Sequence, residues 1–231
     1  MYLQPLGVYG PFANNGHACS GYLVGDGETH VLLDCGSGVV ARLLSAIDLT
    51  KLSAVVLSHL HGDHMSDMFI LKYALTRVHH KIPVFLPSEP QHTYELLAHE
   101  ERYKTDTAEN FSIGALNFSL HPMLHPVATR GVCITSGGKK LFYTGDSVSK
   151  EALFEPARDA DLFLCDAWAL GDTIAPHMSA AEAAALAKNL NVKQLILTHL
   201  DFRNDAQAYL DEARPIFPNA VVVEEMQRYE V

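Results

Sequence analysis

Followed as apolar and polar positions, the chain opens with short apolar runs punctuated by glycine, the pattern of strands joined by tight turns. YLQPLGV (2–8) is the first. SGYLVGDGETHVLLDCGSG (20–38) holds the next two, with Gly-Asp-Gly dividing its apolar runs as a hairpin would. Past Gly36 and Gly38 the spacing becomes helical, so VVARLLSAI (39–47) reads as a helix and SAVVLS (53–58) as a short, wholly apolar strand. SDMFILKYALTRVHH (66–80) and QHTYELLAHEERY (91–103) carry helical periodicity on either side of the strand KIPVFL (81–86).

The second half repeats this grammar. LNFSLHPML (116–124), GVCITSG (131–137) and KKLFYTGDS (139–147) read as strands, the last two joined by a turn at Gly137-Gly138; DADLFLCDA (159–167) is a further buried strand. SAAEAAALAKNL (179–190) is a strong helix, with Ser179 as N-cap and Glu182 in the capping-box position. The strand VKQLILTHL (192–200), the helix DAQAYLDEARPIF (205–217) and the strand AVVVEE (220–225) follow. No linker or low-complexity segment interrupts the pattern, so residues 1–231 are read as one α/β domain.

Composition narrows the partners. With 231 residues and 48% hydrophobic content the chain can bury a core, and 17 basic against 27 acidic residues gives a formal charge of −10. No Lys/Arg-rich run would track a phosphate backbone, which makes long nucleic acid a doubtful partner. The four cysteines are far apart and form no CxxC motif; they read as reduced thiols rather than a zinc knuckle. MYLQPLGVYG lacks the basic and apolar regions of a leader, and no apolar run is long enough to span a bilayer, so a cytoplasmic protein without a membrane partner is expected. A homodimer is expected on general frequency alone.

The candidate chemistry lies in SHLHGDHMSD (58–67), where three histidines and an aspartate fall within six positions. Chance would place three histidines at such fixed positions about 0.04 times in a chain with this histidine content. Imidazole and carboxylate are the ligands of Zn²⁺, Mn²⁺ and Fe²⁺, and a binuclear site needs around six of them plus a bridge. His59 and His61 point the same way from an extended segment, and Gly62 permits the turn that brings Asp63 and His64 round to a second ion. His125, Asp146 and His199 each follow an apolar run and would emerge at a sheet edge.

Together, HLHGDH, the isolated His125, the Gly-Asp after LFYT and the Thr-His after LIL resemble the metal motifs of the metallo-β-lactamase superfamily, and LLDCGSG is similar to its Asp-bearing first motif. The likeness spans essentially the whole chain. It implies a four-layer αββα sandwich and two divalent ions, with zinc favoured over manganese or iron. His59, His61 and His125 would hold one ion, Asp63, His64 and His199 the other, and Asp146 would bridge them; Asp34 would be structural. PHMSAAEAAALAK (176–188) resembles the His-containing segment of ribonuclease Z and related phosphodiesterases, which casts His177 as a phosphate contact or proton donor. The compact chain leaves no room for the flexible arm with which ribonuclease Z grips tRNA.

Other roles remain open for several of these residues. His121 competes with His125, although the PVATRG that follows His125 agrees with the family pattern. Asp146 fits a plain turn, and His177 a helix cap or packing role. His17 in NNGHACSG reaches either the rim of the site or solvent, Trp168 is core or pocket wall, and Arg203 is a phosphate contact or a surface ion pair.

The expected function is that of a binuclear metal-dependent hydrolase, a phosphodiesterase for small, cyclic or short nucleic-acid diesters. A metal-activated bridging water would attack, Asp63 would orient it, and His177 would protonate the leaving group. Ribonuclease Z activity, thioester or lactone hydrolysis, and a non-enzymatic metal-sensing or partner-binding module are the alternatives.

Overall fold

The computed structural model describes residues 1–171 and 176–231. Two seven-stranded sheets form its centre. In the first, β1 (Tyr2–Gly7), β2 (Gly21–Asp26) and β3 (Thr29–Leu33) run antiparallel, and β4 (Leu52–Val56), β5 (Ile82–Phe85) and β6 (Tyr103–Asp106) continue in parallel from β3. The second repeats the plan: β7 (Asn110–Ile113), β8 (Leu116–Met123), β9 (Thr129–Ser136) and β10 (Lys139–Tyr143) are antiparallel, then β11 (Leu162–Asp166), β12 (Gln194–Thr198) and β13 (Ala220–Val222) are parallel. β14 (Tyr229–Glu230) pairs with β1 and completes the first sheet.

Alternation within the first sheet explains the layers. Tyr22, Val24, Val31, Leu33 and Val56 face inward and pack with Val132, Ile134 and Tyr143 of the second sheet. Their neighbours Leu23, Leu32 and Val55 face outward, against Val39 and Leu43 of α1 (Val39–Ala46) and Leu71 and Leu75 of α3 (Met68–Arg77), which follows the single turn α2 (Gly62–Met65). α4 (Gln91–Ala98) joins this outer layer through Leu97. On the far side, α5 (Ala180–Asn189) turns Ala180, Ala183, Ala184 and Ala187 onto the second sheet, with α6 (Ala206–Ala213) beside it. The result is the expected four-layer sandwich. β11 is buried along its length because both faces are covered, which is why LFLC reads as an unbroken apolar run.

Local signals held where they were chemically specific. The capping box of α5 is complete: Ser179 Oγ accepts from the Glu182 backbone N–H at 3.2 Å and Glu182 Oε2 accepts from the Ser179 N–H at 2.9 Å. The helix expected to run to Tyr103 instead ends at Ala98, because Tyr103 is buried in β6 with its hydroxyl donating to the Met68 carbonyl at 2.5 Å. The helix expected from Ser66 starts at Met68. No helix among the described residues is long and apolar enough to cross a membrane.

Both parallel halves end at one rim. The last residue of β11 and the segments after β3, β4, β10 and β12 deliver Asp166, Asp34, His59, Asp146 and His199 there, which places the chemistry at the carboxyl ends of the strands.

Candidate metal centre

His59, His61, His125 and Asp146 bring ligand atoms within 4.8 Å of one another, and so do Asp63, His64 and His199. Asp146 lies between the two groups. Its Oδ1 is 3.3 Å from His64 Nε2, and its Oδ2 is 3.5 Å from His199 Nε2 and 3.6 Å from His59 Nε2. His121, the rival of His125, is absent from the cluster and meets Ser119 Oγ at 3.0 Å on β8.

The hydrogen bonds behind the rings decide which nitrogens are free. Ser58 Oγ donates its one proton to Asp34 Oδ2 at 2.8 Å, so at 3.0 Å from His59 Nδ1 it can only accept, leaving a lone pair on His59 Nε2. His125 Nδ1 faces the Pro176 carbonyl at 3.4 Å, an acceptor, which likewise frees its Nε2. His64 Nδ1 donates to Asp34 Oδ2 at 2.8 Å. Asp34 also accepts from the Ser58 N–H and the Tyr143 hydroxyl, each at 2.7 Å, so this buried carboxylate orients the rings from beneath.

Several observations fit a divalent cation. His59 Nε2 and His125 Nε2 each lie 3.1 Å from His61 Nδ1. One imidazole proton cannot serve both, whereas nitrogens bound about 2.0–2.1 Å from one tetrahedral ion sit roughly 3.3 Å apart. His64 Nε2 and Asp146 Oδ1 are buried with no hydrogen-bond partner, a costly arrangement that a cation would resolve. Asp34 and His199 have φ of 55° and 56°, a left-handed conformation that Asn, Asp and His adopt more readily than other side chains. Gly36 is required nearby, since a Cβ on it would come within 1.9 Å of the Asp63 carbonyl oxygen.

Protonation follows the same geometry. Burial pushes His59 well below the usual histidine range and takes His125 down to about 4, which keeps both neutral and ready to ligate. Burial alone would also lower His64, but the carboxylates of Asp146, Asp34 and Asp63 overcome it and hold His64 well above that range. Asp146 is the converse case. Burial would raise it, while His199, His64 and His59 keep it well below the carboxylate range.

A cation must therefore displace the His64 proton, so binding weakens as pH falls. Without metal, the stability His64 draws from its carboxylates is present below the ordinary histidine value and is lost as pH rises through the raised folded value. Zinc at a hundredfold excess over its Kd is expected to stabilise the fold by about 2.7 kcal/mol, roughly 5–10 °C in Tm for a chain of this size. That increment should grow with pH. Differential scanning calorimetry with and without chelator between pH 6 and 8 checks it; a constant increment would contradict the His64 assignment.

His177 precedes α5 and stands at the cluster's edge, its Nδ1 2.9 Å from Asp166 Oδ2 and 3.9 Å from Asp146 Oδ2. Burial would lower it, but the hydrogen bond and charge of Asp166 raise it above the usual value. Asp166 was not singled out in the sequence, although it ends an apolar strand as Asp146 does. A cleft of about 1000 Å³ opens over the cluster, and Trp168 and Phe12 form part of its wall. His17 lies outside it, 2.7 Å from Glu225, and Arg203 engages Asp201 through Nε at 3.0 and 2.9 Å, so neither is placed at the site.

Residues 29–200 match the family described as the beta-lactamase superfamily domain. The chain belongs to that superfamily. It is 32% identical over 237 residues to the probable metallo-hydrolase YhfI of Bacillus subtilis, covering 96% of each protein. The crystal structure of YhfI superposes with a TM-score of 0.94 at 27% identity, over 100% of this chain and 99% of that one. Ribonuclease Z of Archaeoglobus fulgidus is 39% identical over 104 residues, 41% of this chain and 33% of that protein. The short form of human tRNase Z shares the fold with a TM-score of 0.80 at 19% identity, over 100% of this chain and 99% of that one. The family and the His/Asp cluster place the protein among metallo-hydrolases whose relatives include ribonuclease Z.

Proposed function

We propose that the protein is a binuclear metal-dependent phosphodiesterase acting on small, cyclic or short nucleic-acid diesters. The observation that carries this reading is His177. Its Nδ1 donates to the buried Asp166 carboxylate, and its Nε2 has no hydrogen-bond partner among the described residues of the cleft beside Asp146. Hydrolysis of a phosphodiester expels an alkoxide, a poor leaving group that needs a proton, and a histidine whose protonated form is favoured by a buried carboxylate is suited to supply one.

In this reading His59, His61 and His125 would hold one ion, Asp63, His64 and His199 would hold the other, and Asp146 would serve both. Ions bound there supply Lewis-acid activation of water and neutralise charge developing on the phosphate. Asp63, whose side chain is 10% exposed, faces the cleft and orients the attacking water through its carboxylate. His177 donates its proton to the departing oxygen. Asp166 is a positioning residue that fixes the tautomer and orientation of His177.

No lysine or arginine lines the cleft among the described residues. A tRNA-sized polyanion would require a cationic track, so the small-substrate reading is preferred to ribonuclease Z activity. The test is hydrolysis of bis-p-nitrophenyl phosphate by protein reconstituted with Zn²⁺ or Mn²⁺, beside an activated thioester. Preferential turnover of the diester is expected. Preference for the thioester would move the protein to carbonyl hydrolysis.

A further inference from the structure

Phe12 is a large aromatic residue held half in water, 52% exposed, at the wall of the cleft. An exposed phenylalanine alone is unremarkable, but its loop is fastened at both ends. At one end the Gly10 N–H donates to the Leu200 carbonyl at 3.2 Å, and Gly10 lies so close to the ring of His199 that a Cβ there would come within 2.1 Å of Cε1. At the other, Glu225 accepts from the Ala18 N–H at 3.0 Å, meets His17 Nδ1 at 2.7 Å and pairs with Arg42, which also donates to the Gly16 carbonyl at 2.6 Å. Between these anchors Phe12 packs on Phe202, ring centroids 5.0 Å apart and tilted by 60°. A rigid aromatic surface is thereby held beside the metal ligands at little entropic cost on binding.

The rest of the cleft narrows what that surface meets. Trp168 and Pro176 add apolar wall, the lining carboxylates and histidines, Asp63, Asp146, His61, His125, His177 and His199, belong to the reacting centre, and Cys19, held up at about 11 by burial, is a neutral thiol. Among the described residues, no group of the lining outside that centre complements a charged side group. We propose that Phe12 determines specificity by stacking an uncharged planar ring on the non-reacting side of the substrate, so that the protein prefers diesters bearing an arene or nucleobase over aliphatic ones. This rests on the phosphodiesterase reading, but its test does not depend on turnover.

Trp168, the only tryptophan in the chain, lines the same cleft and reports binding by its fluorescence. The metal-loaded protein is titrated with adenosine 5′-monophosphate, phenyl phosphate and ribose 5-phosphate, in the wild type, Phe12→Ala and Phe12→Tyr. Base-on-aromatic stacking predicts that the adenine compound binds about tenfold more tightly than ribose 5-phosphate, that Phe12→Ala removes this ratio and that Phe12→Tyr keeps it. Phenyl phosphate distinguishes the ring sources: affinity equal to that of the adenine compound assigns the surface to arenes in general, and weaker affinity to nucleobases. Equal affinity for the adenine and ribose compounds in the wild type, or a ratio unaltered in Phe12→Ala, overturns the proposal. A wild type that shows the ratio yet hydrolyses no diester refutes the phosphodiesterase reading and leaves the stacking role standing.

Discussion

Replacing Asp146 by alanine is expected to lower turnover of bis-p-nitrophenyl phosphate by about 10³-fold or more, equivalent to roughly 4 kcal/mol of transition-state stabilisation. Its two oxygens lie 3.3–3.9 Å from ring nitrogens of His64, His199, His59, His125 and His177, a position no other carboxylate shares among the described residues. Removal leaves several imidazoles facing one another without the charge that balances them. Bound metal measured by plasma mass spectrometry should fall by at least half, because either group of ligands loses a member or its bridge. Retention of activity within tenfold, with metal content intact, would return Asp146 to the role of an ordinary turn aspartate.

Substitution of His177 should separate substrates by leaving group. With an alkoxide leaving group, His177→Gln is expected to reduce kcat by about 10²–10⁴-fold, the usual span for general acid catalysis. With p-nitrophenolate, a stable anion that needs little help from a proton, the loss should be markedly smaller. The pH profile carries the sign. A general acid works while protonated, so the rate falls as pH rises through the His177 value, which Asp166 has raised. His177→Gln removes that alkaline limb, and Asp166→Asn moves it to lower pH by withdrawing the carboxylate. Bound cations pull the His177 value down, but the rate still declines on the alkaline side. Equal losses on both substrates with an unchanged limb would assign His177 to phosphate contact instead.

The candidate metal centre is legible in the sequence because its chemistry is concentrated. HLHGDH places four donors in six positions, and Asp146 and His199 follow strands whose last residues, Leu141–Tyr143 and 195–198, are all buried. Asp166 carries the same mark after LFLC, but a single carboxylate beyond a strand acquires meaning only when His177, eleven residues on, folds back to within 2.9 Å of it. The strands β6, β7 and β14 went unread because each is four residues or fewer and lies at or near a sheet edge, too short and too exposed for an alternating pattern to register. In the sequence the loop after β1 offers a histidine, His17, for the rim. It supplies Phe12 instead, while Glu225, more than two hundred residues away in sequence, holds His17 on the outer side.

The contribution of both sheets to one cluster also has a meaning in time. During synthesis His59, His61, Asp63 and His64 leave the ribosome early, as part of a sheet that cannot yet close the site, while Asp146 arrives later and His199 only as the last strands are made. In the proposed binuclear reading, a cation that meets the nascent chain would find half a coordination sphere and little reason to stay. Choice of metal would then be deferred until the second sheet docks, when ligand geometry rather than order of encounter would decide which ion remains.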